Sequence, residues 1–168
     1  MSVPHIARRH IAASPAACFA AWADAEAVAV WLPPHGMRGR IERFDLREGG
    51  GFRLILTYVD GPNPDAKSTA DSDVAEGRFV TVDAPHTIAF DSTFEGDDED
   101  YAGTMRMTWR FDPVPDGGTV AEVTAENVPR GIDRVVHETA IGMSLENLER
   151  YLQDTGQRAG AAQEGTRE

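Results

Sequence analysis

Residues His137 to Leu152 read "HETAIGMSLENLERYL", and the spacing of their apolar side chains decides the architecture. Ile141, Leu145, Leu148 and Leu152 step by four, three and four residues, which places them on one helical stripe. A helix with a single apolar stripe has to bury it against another layer. That layer lies upstream, where the apolar period switches to two. In "TMRMTWRFDP" Met105, Met107, Trp109 and Phe111 alternate with polar residues, and in "GGGFRLILTYV" Phe52, Leu54, Leu56 and Tyr58 share one strand face. Further strands read out as "HIARRHI", "GRIERFDL", "VAEGRFVTVD", "APHTIAFDSTF" and "TVAEVTAENV".

The connections between these runs are short. Gly49-Gly50-Gly51 and Asp116-Gly117-Gly118 mark turns, and successive strands joined this way form an antiparallel meander. "DGPNPDAKSTADSD" reads as an exposed hairpin loop and the acidic run "EGDDED" as a solvated hairpin tip. Two short helices follow the first strand. Ser14 caps the first with Pro15 at its opening position, Asp24 caps the second, and Pro33-Pro34 ends it. The expected fold is therefore α+β, a curved antiparallel sheet of about six to seven strands wrapped around one long carboxy-terminal helix. Residues 1–153 are expected to form a single domain. "QDTGQRAGAAQEGTRE" has no apolar period, so 154–168 are expected to be a flexible tail.

Composition excludes several partner classes. The 168-residue chain is 41% hydrophobic, enough for one good core, and its formal net charge is −12. That charge repels phosphate backbones and anionic headgroups, so nucleic acid is not an expected partner. No run approaches the roughly 18 apolar residues of a membrane span, and the amino terminus lacks a signal-peptide core, so a cytoplasmic protein without membrane insertion is expected. Cys18 is the only cysteine. It lies on an apolar helical stripe with Phe19 and Trp22 and reads as a buried structural thiol.

Several segments together carry a resemblance. "SPAACFAAWADAEAVAVWLPP", "GGGFRLILTY", "EGRFVTVDAPHTIAF" and "ENVPRGI…HETAIGMSLENLERYL", in that order, resemble the START-like SRPBCC superfamily. Within it they look like the bacterial homologues of the activator of heat-shock-protein-90 ATPase. The resemblance spans roughly residues 4–152 and implies the helix-grip fold of START, Bet v 1 and polyketide cyclase proteins. For function it implies a broad set, from lipid carriers and hormone receptors to cyclases. Trp31 is followed by Leu32 where many relatives show a double tryptophan, and Ala140-Ile141 stand where a glycine-containing segment is common. Both differences bear on pocket shape.

A helix gripped by a sheet leaves space near one helix end, roofed by the connecting segments. "VWLPPHGM" (30–37) joins the short helices to the sheet, so Trp31 and Leu32 are expected to fold inward over that space. His35, Gly36 and Met37 then form a lip able to move, with His35 facing solvent. The expected ligand wall adds Leu56 and Tyr58, Phe90, and the row Met105, Met107 and Trp109, since thioethers repack around varied shapes. Ile141 and His137 complete it from the helix, with His137 the leading polar candidate.

Three functions compete. The first is binding of a small apolar or lipid-like molecule. The second is a cofactor-independent cyclase, hydratase or hydrolase-type enzyme using His137 and Tyr58 as base and acid. The third is a chaperone-partner module, disfavoured because these short homologues lack the extra amino-terminal domain of the eukaryotic activator. No metal site is expected, since neither His35 nor His137 has a fixed-spacing ligand partner and "EGDDED" does not match a calcium loop. Ser144 stands two turns, about 10 Å by helical rise, from His137, which disfavours serine hydrolysis. No cofactor is expected, and a homodimer is left open.

Overall fold

The computed structural model of the protein describes residues 2–164, with side chains through 156. The elements run β1 (His5–Ile11), α1 (Pro15–Ala20), α2 (Ala25–Trp31), β2 (Met37–Phe44), β3 (Gly51–Tyr58), β4 (Ser72–Asp83), β5 (Thr87–Phe94), β6 (Met105–Pro113), β7 (Thr119–Glu126) and α3 (Arg134–Glu164). All seven strands form one antiparallel sheet in the order β1-β7-β6-β5-β4-β3-β2. The meander accounts for β2 to β7. β1 adds to its far edge beside β7, with His5 opposite Ala125 and Ile11 opposite Thr119.

The short helices form where the sequence places their caps. Ser14 Oγ accepts from Ala17 N at 3.2 Å and Asp24 Oδ1 accepts from Glu26 N at 3.0 Å, each satisfying a donor the helix cannot pair internally. Register breaks in β2, between Ile41 and Arg43, and in β4, between Phe79 and Thr81, increase the local twist that curls the sheet around α3. Cys18 is fully buried in α1, and burial raises its thiol pKa, which suits a structural role rather than a nucleophile.

The core fills one half of the space between sheet and helix. Leu145 and Leu148 are fully buried and Ile141 nearly so, while Leu152 packs at the margin. Trp22 stands edge-on to Trp31 at 5.3 Å and to Trp109 at 5.2 Å, a tight aromatic cluster under the short helices. The first third of α3, up to Ser144, has no such filling beneath it.

Two expectations need correction. The loop before β4 is not simply an exposed hairpin: Lys67 N and Nζ donate to the two carboxylate oxygens of Asp73 at 2.8 and 2.9 Å, and Ser68 Oγ accepts from Val74 N. Side chains of its own sequence fold the loop back over β4, and the strand begins at Ser72. The acidic tip is also more than a solvated end. Glu99–Tyr101 make one 3-10 turn, Arg130 donates to Asp100, and Gly131 N donates to Asp100 O, which ties the tip to the approach of α3. The last helix runs past Leu152 to Glu164, through the first residues of the expected tail. The part of the expected flexible tail beyond 164 lies outside the described residues. Among those described, no helix is long and apolar enough to cross a membrane.

Candidate ligand-binding cavity

A cavity of about 500 Å³ opens under the first third of α3, from Val135 to Ser144. Its floor is the concave face of the sheet. Leu56 and Tyr58 come from β3, Phe90 from β5, and Met105, Met107 and Trp109 from β6, because residues two apart on a strand share a face. Phe90 stands opposite Met107 across the β5-β6 ladder, so their side chains are cross-strand neighbours. His137 and Ile141 form the roof from α3, and Leu32 and Met37 close the end beside the short helices.

Trp31 does not line this space. It is 1% exposed, its indole N–H donates to Ala21 O at 3.1 Å, and its ring packs on Trp22 and Trp109. The turn of α2 that points Leu32 toward the cavity points Trp31 into the core instead. The lip is pinned as well. Ser144 Oγ donates to Leu32 O at 2.5 Å, Asn147 Nδ2 donates to Pro33 O at 2.9 Å, and exposed His35 pairs through Nε2 with Asn147 Oδ1 at 3.1 Å. Ser144 and Asn147, three residues apart on one flank of α3, thus fasten "WLPPH" to the helix.

The polar end of the cavity is built by residues far apart in sequence. His137 Nδ1 lies 2.8 Å from His5 Nδ1, and His5 enters only because β1 pairs with β7. One ring must donate and the other accept. Burial is the main reason His137 falls to about 4, with His5 and Lys67 adding repulsion and Glu138 opposing it. His5 is lowered too, again chiefly by burial. Glu138 accepts from Ile6 N at 3.0 Å and from Arg134 at 3.1 Å, so it braces the edge strand against α3. Tyr58 is pushed up to about 12, first by burial and then by Asp73 and Asp65.

Sequence reasoning missed Asp65, Lys67, Asp73 and Ser92, all of which line the cavity. Lys67 Nζ pairs with Asp73 and lies 5.4 Å from the Phe94 ring centroid and 5.9 Å from that of Tyr101. Ser92 is 5% exposed and has no side-chain hydrogen bond among the described residues. Its inward position follows from the same alternation that turns Phe90 inward, a signal present in "FDS". Among the described residues, no three His, Cys, Asp or Glu side chains converge as a metal site. Ser144 spends its hydroxyl on Leu32 O and Ala140 O, not on a histidine.

The model of one protein family, described as activator of Hsp90 ATPase homolog 1-like protein, matches residues 12–153. None of the curated proteins compared with the sequence matches it. Among solved structures, a Chromobacterium violaceum protein superposes with a TM-score of 0.77 at 23% identity, covering 90% of this chain and 98% of that one. An Arthrobacter aurescens protein gives 0.73 at 17% identity, over 90% and 86% of the two chains. A Silicibacter pomeroyi protein that carries the family's name gives 0.69 at 19% identity, over 90% and 98%. At these identities the likeness speaks for the fold alone.

Proposed function

The chain belongs to the family of activator of Hsp90 ATPase homolog 1-like proteins, and from that premise we propose that it binds a small, mostly apolar molecule between the sheet and α3. The supporting observation is a space of about 500 Å³ whose apolar walls carry hydrogen-bonding groups without protein partners. Among the described residues these are the Ser92 and Tyr58 hydroxyls and His137 Nε2, the Nδ1 of that ring being engaged by His5. Protein interiors are close-packed and rarely hold voids much larger than a water, so a space of this size supports a binding site over loose packing. It falls in the range of small-molecule pockets, about 300–1,000 Å³.

The titration of the two candidate catalytic groups favours binding over catalysis. With His137 at about 4 and Tyr58 at about 12, both are uncharged at neutral pH. They serve as hydrogen-bonding groups, whereas efficient acid and base catalysts titrate near the working pH. Native mass spectrometry of the purified protein tests the proposal: retained or added apolar compounds give a one-to-one adduct. A bound compound at about 100 times its Kd stabilises the fold by about 2.7 kcal/mol. A broad apolar library that yields neither an adduct nor a rise in Tm refutes it.

A further inference from the structure

Resting on the binding reading, we infer that the preferred occupant carries a protonated amine on its apolar body, with Asp65 at the cavity mouth as counter-ion. Among the described residues, three charged side chains line the cavity: Asp65, Lys67 and Asp73. Lys67 and Asp73 neutralise each other at 2.9 Å, with side chains 17% and 6% exposed. Asp65 is exposed at the rim, and no basic side chain pairs with its carboxylate among the described residues; its own N–H donates to Asn63 Oδ1. One uncompensated negative charge therefore remains. Its field reaches inward, since Asp65 and Asp73 both oppose ionisation of Tyr58.

The same wall already accommodates an ammonium group. Lys67 Nζ sits beside the faces of Phe94 and Tyr101, and aromatic faces attract cations. Ser92, 5% exposed and with no hydrogen bond to its hydroxyl among the described residues, offers an oxygen acceptor deeper in the cavity. His137 Nε2 offers a second acceptor in the tautomer whose Nδ1–H donates to His5. An ammonium would select that tautomer. A carboxylate meets the opposite conditions: Lys67 is engaged by Asp73, both His5 and His137 are held uncharged at neutral pH, and Asp65 repels it.

Titration calorimetry with 1-naphthylmethylamine, 1-naphthylmethanol and 1-naphthoate tests this, because the three share one apolar body and differ in charge. At low ionic strength the amine should bind about fivefold or more tighter than the alcohol, and the carboxylate weakest. Asp65→Asn should bring the amine to the level of the alcohol. Glu122→Gln, which removes one charge from the outer sheet face where Glu122 pairs with Arg8, should leave the amine's advantage intact. If the alcohol binds but the amine gains nothing, or the carboxylate matches it, this inference fails while the binding proposal stands. Equal loss of amine affinity in both variants assigns the preference to net charge and overturns the role of Asp65. If none of the three binds, both readings fall together.

Discussion

His5 and His137 meet through their Nδ1 atoms at 2.8 Å, joining the first strand to the first turn of the last helix at the edge of the cavity. The pair makes stability depend on pH. His137 titrates at about 4 in the folded chain against an ordinary 6.5, and His5 is lowered as well. Between those values the unfolded chain takes up protons that the folded chain refuses, so stability is full above pH 6.5 and falls as pH drops toward 4. The loss from pH 7 to 4.5 is on the order of 2 kcal/mol. The carboxyls of Asp91, Asp116 and Glu138, held low by their partners, add losses only nearer the ordinary carboxylate range. Denaturant titrations between pH 5 and 7 should show the slope, and His137→Gln should flatten it.

Leu145 carries the grip of the sheet on the helix. It is fully buried at the centre of the stripe that begins with Ile141. Leu145→Ala should cost about 2–5 kcal/mol in chemical denaturation. A cost below about half a kcal/mol would mean that the stripe is not packed.

Gly77 makes room for an aromatic wall. It stands opposite Phe52 in the β3-β4 register, and a Cβ at that position would overlap the Phe52 ring. Phe52 borders the cavity, so the ring displaced by Gly77→Ala moves into the ligand space or forces the strands apart. The variant should lose about 1–3 kcal/mol and bind apolar compounds more weakly. Unchanged stability and affinity would show that the ring is free to turn away.

Lys67 and Asp73 stand or fall together. Lys67→Met leaves a carboxylate 6% exposed and without its ammonium partner, which should cost about 1–3 kcal/mol. Adding Asp73→Asn in the same chain should recover part of that loss. Simple additivity of the two single variants would show that they do not interact.

How far the sequence reaches depends on the range of the interaction. The strands and α3 follow from apolar periods of two and 3.6, and the short helices from Ser14, Asp24 and the Pro33-Pro34 stop, all of which are local signals. Ten of the eleven wall residues expected from the sequence line the cavity, because strand alternation and the helix stripe fix which way they face. Trp31 fails because an apolar residue at a helix end suits a core and a cavity mouth equally well, and only the neighbouring Trp22 and Trp109 decide between them. His5 lies 132 residues from His137 and no spacing rule connects them. Lys67 and Asp73 looked like loop polarity, since their burial depends on Phe94 and Tyr101 arriving from a different hairpin.

The most direct measurement of whether the space under α3 is a binding site compares the parent chain with Met107→Trp by titration calorimetry against apolar ring alcohols, 1-naphthylmethanol first. Met107 is 8% exposed and faces the cavity, so a larger ring there enters empty volume. Saturable one-site binding by the parent, loss of that binding in Met107→Trp, and a Tm close to the parent's are expected. A variant destabilised by about 1–3 kcal/mol, the cost of overpacking a filled interior, together with no heat of binding from the parent, would contradict this expectation.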